Sequence, residues 1–162
     1  MILTKRVFLA APFKQLLDQS QTMQTADQAL LTQVMTLLEK NGLVVDNAHR
    51  REAWGQAMMT PDDCTQADFQ AIAACDVLLA FPGQPASPGT HIELGWASAM
   101  GKPIVLLLEA EATYAYLVQG LKMVGDVTYL TYHDAASCLA VVSNWLLQWQ
   151  NQRELVGTDA YI

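Results

Sequence analysis

"CDVLLAFPGQPASPGTHIELGWASAMGKPIVLL", residues 75–107, decides the fold. Two short runs within and beyond it, "DVLLAF" (76–81) and "PIVLLL" (103–108), are apolar at every second position and also between. Such a run reads as a strand buried on both faces. A Pro/Gly-rich loop, "PGQPASPG", separates the first run from small and apolar residues at helical spacing, and Gly101 ends that helix. A buried strand, a helix and a second buried strand in succession make a parallel crossover unit.

The same alternation continues outward. "RVFLAA" (6–11) is a β run closed by Pro12. Residues 21–40 set Met23, Leu30, Leu31, Val34, Leu37 and Leu38 on one helical face, and Asn41-Gly42 ends that helix. "LVVD" (43–46) is a second strand, and 47–59 has no clear periodicity, so it reads as a loop or irregular helix. "TPDD" at 60–63 starts a helix running to about Ala74: Thr60 caps it, Pro61 takes the first position, and two acids sit near its positive end. A short helix is expected over 112–120 and a fifth strand over "DVTYLTY" (126–132). Asp134 then caps a last helix carrying Cys138, Val142, Trp145, Leu146 and Trp149.

These elements predict an α/β domain over residues 1–150. It would be a flavodoxin- or Rossmann-like doubly wound sheet of five parallel strands, in the order 2-1-3-4-5, with helices on both faces. Residues 151–162 form a tail whose end, Tyr161-Ile162, is expected to contact a neighbouring subunit.

Composition narrows the function. The chain is 52% hydrophobic and 15% charged, apolar enough to imply a homodimer or larger homo-oligomer. Its formal net charge of -7, with no basic cluster beyond Arg50-Arg51, argues against a nucleic-acid polymer or an anionic membrane as partner. A small anion needs only a local site. Cys64, Cys75 and Cys138 are far apart and form no CxxC, so neither a disulfide framework nor a zinc site is expected. The basic start and apolar run of "TKRVFLAAPF" are too short for a secretory signal, and no run spans a bilayer, so a cytoplasmic protein is expected.

In a doubly wound sheet, ligands bind outside the carboxyl ends of the strands where the strand order reverses. That brings together the segment after strand 1, the loop after strand 3 and the start of the following helix. Ser87, Gly89 and Thr90 then stand at a helix N-terminus, whose unsatisfied N–H groups favour an anion. Glu93 lies between Ile92 and Leu94, in the expected first turn. Thr90-x-x-Glu93 fits a capping box, and spacing alone favours that role for Glu93 over a chemical one. By spacing alone Asp68 is equally an exposed helix residue, Arg50-Arg51 a solvated pair, and Trp54 and Met58-Met59 packing or ligand contacts. His91 and His133 have no partner spacing and receive no role.

The 75–108 region resembles the nucleoside 2-deoxyribosyltransferase family. The shared features are a strand opening with Asp, a loop with a small residue before Gly, and "ELGWASAMGKP". The resemblance implies that Glu93 of the "ELG" motif is the nucleophile and that Asp68, eight residues before Asp76, is a second catalytic carboxylate. It also implies that Ser87, two residues before Gly89, binds a 5′-phosphate. Many members carry a Tyr in strand 1, where this chain has Val7 with Phe8 beside it. "VFLAAPF" together with "AHRREAWG" is similar to the pyrimidine-nucleotide N-glycosidases, the cytidylate hydrolases of the mildiomycin and blasticidin type.

The implied reaction passes through an oxocarbenium-like C1′, trapped by Glu93 and released by water. The helix N-terminus is expected to lower the Glu93 pKa, and Asp68 is the group expected to assist the departing base. From their positions, Phe13 is expected to stack on base or sugar, and Arg50 or Arg51 to contact phosphate or a pyrimidine carbonyl. The expected substrate is therefore a nucleoside 5′-monophosphate such as CMP, with no metal or other cofactor. A deoxyribosyltransferase and a catalytically silent nucleotide-binding module are the alternatives.

Overall fold

The computed structural model describes residues 5–12 and 25–158. In chain order these form β1 (Arg6–Ala10), α1 (Thr25–Lys40), β2 (Val44–Asp46), α2 (Ala48–Arg51), α3 (Pro61–Ala74) and β3 (Val77–Ala80). They continue with α4 (Pro88–Ala99), β4 (Ile104–Glu109), α5 (Tyr116–Gln119), β5 (Val127–Tyr132) and α6 (Ala135–Thr158). Single 3₁₀ turns follow α2, over Ala53–Gly55, and α5, over Leu121–Met123.

All the strand pairs are parallel, in the order β2-β1-β3-β4-β5, as the alternating pattern predicts. The two-residue period of a strand sends its side chains alternately into two layers. Val7 and Leu9 of β1, Val77 and Leu79 of β3, and Val105 and Leu107 of β4 face α1 and α6, where they meet Leu31, Val34, Leu38, Cys138, Val142 and Leu146. Phe8, Ala10, Leu78, Ala80, Ile104 and Leu106 face the other way, onto Ile72 and Cys75 at α3 and Leu94 and Ala97 of α4. β3 is buried at all its positions, which is why its sequence shows no alternation. Truncating one of its leucines, such as Leu79, to alanine is expected to cost about 2–5 kcal/mol.

Two devices fix the carboxyl edge of the sheet. Gly83, in the loop after β3, has φ +84, and a Cβ there would stand 2.5 Å from Pro12 Cγ. The loop after β3 therefore lies directly on the residue that closes β1. Asn47, between β2 and α2, accepts the Arg50 N–H on its side chain and donates Nδ2–H to the Leu9 carbonyl at 2.9 Å. That bond ties the connection after β2 to the end of β1.

Some boundaries differ from those read in the sequence. The short helix predicted from 112 starts at Tyr116, because residues 110–115 form a turn closed by the Glu109 N–H donating to the Tyr114 hydroxyl at 2.7 Å. α6 continues past residue 150 to Thr158. Met23, Phe13 and Tyr161-Ile162 lie outside the described residues. Among those described, no helix is long and apolar enough to cross a membrane.

Candidate active site

A cavity of about 580 Å³ opens at the carboxyl edge of β1, on the α3/α4 side of the sheet. Its size suits a nucleotide-sized ligand. Phe8 to Ala11 form its floor. Pro61, Cys64, Thr65 and Asp68 of α3 line one wall, and Ser87, Pro88, Gly89, Thr90 and Glu93 line another. Ala48, His49, Glu52, Met58 and Met59 supply a third from the connection after β2. A smaller cavity of about 310 Å³, on the α1/α6 side, contains none of the sequence-predicted site residues among those described.

The α4 end differs from the capping box read in the sequence. Ser87, not Thr90, is the N-cap, with Pro88 at the first helical position. Thr90 therefore lies inside the first turn, and Glu93 stands in the second turn instead of the first. The cap chosen is the one that lets proline occupy the position where its missing N–H is harmless. Glu93 is then three residues from buried Thr90 and beside buried Leu94, on the inward stripe of α4. On α3, Asp68 lies one turn before buried Ile72, which turns it inward too. The two carboxylates thus reach one cavity from two packed helices, while Asp62 and Asp63 remain exposed in the first turn of α3.

The electrostatics reverse a second expectation. Burial first, and the Asp68 charge second, push the Glu93 carboxyl up to about 8, with Arg51 opposing. One turn into the helix, loss of hydration outweighs the dipole that was expected to lower it. Asp68 is also raised by burial, against the hydrogen bond and charge of Arg51.

The two arginines do different things. Arg50 donates to Glu39 Oε1 of α1 at 2.6 Å and to the Val45 carbonyl, and it does not line the cavity. Arg51 Nη1 donates to Asp68 Oδ1 and Nη2 to Asp46 Oδ1, each at 2.8 Å. Phe13 lies outside the described residues.

Sequence reasoning gave no role to His49 or Glu52. Both are buried and both line the cavity. His49 Nδ1 accepts from Asn47 Nδ2 at 3.2 Å, so Nε2 carries the hydrogen and donates to the Pro12 carbonyl at 2.8 Å. Burial lowers its pKa to about 4, which keeps the ring neutral. Their segment has neither helical nor strand period, so no periodic signal marks them. Trp54, at φ 57, packs on the α1/α6 layer and not in the cavity, whereas Met58 and Met59 line it. In β1, Val7 points away from the cavity and Phe8 lines it, so an aromatic ring without a hydroxyl occupies the floor. Among the described residues, no group of His, Cys, Asp and Glu is arranged to hold a metal ion.

The chain as a whole is similar to known proteins. The profile of the family described as nucleoside 2-deoxyribosyltransferase matches residues 7–142. The solution structure of BlsM is 46% identical over 87% of this chain and 91% of its own, with a TM-score of 0.73. The Clostridium botulinum CMP N-glycosidase BcmB is 40% identical over 84% of this chain and 96% of its own, with a TM-score of 0.65. A conserved protein from Enterococcus faecalis V583, at 16% identity and a TM-score of 0.56, shares the fold. No curated protein sequence matches.

Proposed function

We propose, for a chain that belongs to the nucleoside 2-deoxyribosyltransferase family, hydrolysis of the N-glycosidic bond of a pyrimidine nucleoside 5′-monophosphate such as CMP. The products are the free base and ribose 5-phosphate. The observation that carries this reading is the convergence of Glu93 and Asp68 with the capped start of α4 in one cavity. The 40% identity to a CMP N-glycosidase supports the choice of substrate.

In this reading the phosphate lies against the α4 N-terminus, at Ser87, Gly89 and Thr90, where N–H groups and the helix dipole favour an anion. C1′ faces Glu93. The C1′–N bond breaks with its electron pair passing to the base, and a Glu93 oxygen bonds to C1′. Asp68 delivers the proton that makes the base a good leaving group, then takes one from the water that opens the glycosyl ester. No cofactor enters these steps. Met58 and Met59 supply the adaptable apolar wall against which a pyrimidine ring packs.

The family name favours one other reading, a 2′-deoxyribosyltransferase, in which a second base replaces water as the acceptor of the sugar from Glu93. The deciding experiment incubates purified protein with ribo- and deoxyribonucleotides and their nucleosides, with and without adenine, and follows free base by chromatography. Base release from a monophosphate without acceptor supports the hydrolase. Release only from deoxynucleosides with adenine present supports the transferase, and no release from any of them points to the silent binding module.

The same reading includes a homo-oligomer, supported by the exposed apolar side chains of Tyr116, Leu117, Met123 and Val124 in and after α5. A monomer mass in solution at micromolar concentration overturns it. Deleting residues 154–162 tests the expected contact of the tail, through the same mass and through activity.

A further inference from the structure

Arg51 holds two carboxylates from two different elements. One arm of its guanidinium reaches Asp68 on α3 and the other reaches Asp46 at the end of β2. Asp46 also lies 3.6 Å from Arg6, which opens β1. The planar fork thus ties α2, β2 and α3 together beside the cavity, a geometry that a flexible ammonium does not reproduce. Asp68 lines the cavity and Arg51 does not.

We propose that Arg51 is a positioning residue and not a phosphate ligand: its fork fixes the Asp68 carboxylate on the cavity wall as an anion, which leaves Glu93 holding the site's proton before substrate binds. The inference rests on the reading of Glu93 as nucleophile and Asp68 as proton donor. The charged and titratable groups around the pair are Arg51 on α2, Asp46 on β2, Arg6 on β1 and Glu93 on α4, with His49 and Glu52 on the same cavity. Burial first, and the Asp68 charge second, hold the Glu93 proton in place.

The consequence is a defined path for one proton. When substrate fills the cavity, the Glu93 carboxyl gives its proton to the Asp68 carboxylate. Glu93 becomes the anion that bonds to C1′, and the same proton passes from Asp68 to the departing base nitrogen. Charge and protons balance, with no external acid. Arg51 sets the order by making Asp68 the first of the two carboxyls to ionise.

The test uses the full chain and the variants Arg51→Gln and Arg51→Lys. In Arg51→Gln, kcat for CMP is expected to fall about 10²-fold, the cost of a misplaced catalytic group, with KM nearly unchanged and the pH profile displaced. Arg51→Lys, which keeps the charge but loses the fork, recovers part of kcat. Carbon-13 NMR titration of the aspartate carboxyls gives a readout that needs no turnover: Asp68 is expected to titrate at higher pH in Arg51→Gln than in wild type. An unchanged Asp68 titration overturns the inference, as does a raised KM for CMP relative to cytidine with kcat intact, which makes Arg51 a phosphate ligand. If the wild-type protein releases no base, the hydrolase reading fails, and the titration still decides the role of Arg51.

Discussion

The Ser87 hydroxyl oxygen accepts two hydrogen bonds from Thr90, from its backbone N–H at 3.4 Å and from its Oγ1–H at 3.1 Å. One residue therefore caps α4 and lines the cavity at the place proposed for phosphate. Ser87→Ala is expected to lower stability by about 1 kcal/mol, the usual cost of a lost cap. It is also expected to raise KM for a nucleoside monophosphate while leaving KM for the nucleoside unchanged. Urea unfolding and paired kinetics with CMP and cytidine measure the two effects.

Glu93 does not cap the helix, so neutralising it removes no cap. Glu93→Gln is expected to fold and to lose turnover by about 10³-fold or more, as removal of a covalent nucleophile does. Circular dichroism and base release test both halves. Full activity in a folded variant ends the nucleophile reading.

The raised Glu93 pKa has a signed effect on stability. The folded state keeps the proton up to about pH 8, whereas an unfolded glutamate loses it near 4.5. Its contribution is complete below 4.5 and is lost as pH rises through 8, by an amount on the order of a few kcal/mol. Thermal melts of wild type against Glu93→Gln are expected to separate between pH 5 and 9, the variant becoming relatively more stable at the alkaline end. For the free enzyme, kcat/KM is expected to fall as pH rises through about 8, where Glu93 loses the proton that the departing base requires.

His49 works in the opposite sense. Buried and neutral, its pKa is lowered to about 4, so its contribution is complete above its ordinary 6.5 and is lost as pH falls through 4. His49→Ala is expected to cost about 1–3 kcal/mol at pH 7, since the Pro12 carbonyl loses its donor. It also reduces the acid sensitivity between pH 6.5 and 4. Denaturant midpoints for the two proteins across that range check it.

The strand order was readable because β3 is apolar throughout and β4 apolar up to Glu109, and because each helix between strands carried its own stop or start, such as Gly101 or Thr60-Pro61. The cap of α4 was misread for a physical reason. Thr90-x-x-Glu93 and Ser87-Pro88 are competing start signals three residues apart, and only packing decides which one the helix uses. The inward turn of Asp68 was readable in principle from Ile72 and Cys75, one and two turns later on the same stripe. The pairing of Arg51 with Asp68 was not. The partners are seventeen residues apart, and the contact depends on how α2 and α3 pack, which no local period encodes. His49 and Glu52 were hidden in the same way, in a segment whose conformation is set by Asn47 reaching across to Leu9.

Gly83 sets a limit on how this scaffold diversifies. With its backbone at φ +84 and the Pro12 ring where a Cβ would be, every other amino acid must push apart the two loops that frame the carboxyl edge of β1 and β3. In a saturation library at this codon, sorted only for folded protein, the survivors would be glycine. Met58 and Met59, which line the larger cavity on the other side of the sheet, would tolerate exchange. The lining of the larger cavity can therefore drift through its two methionines, while the spacing of the two loops stays as it is.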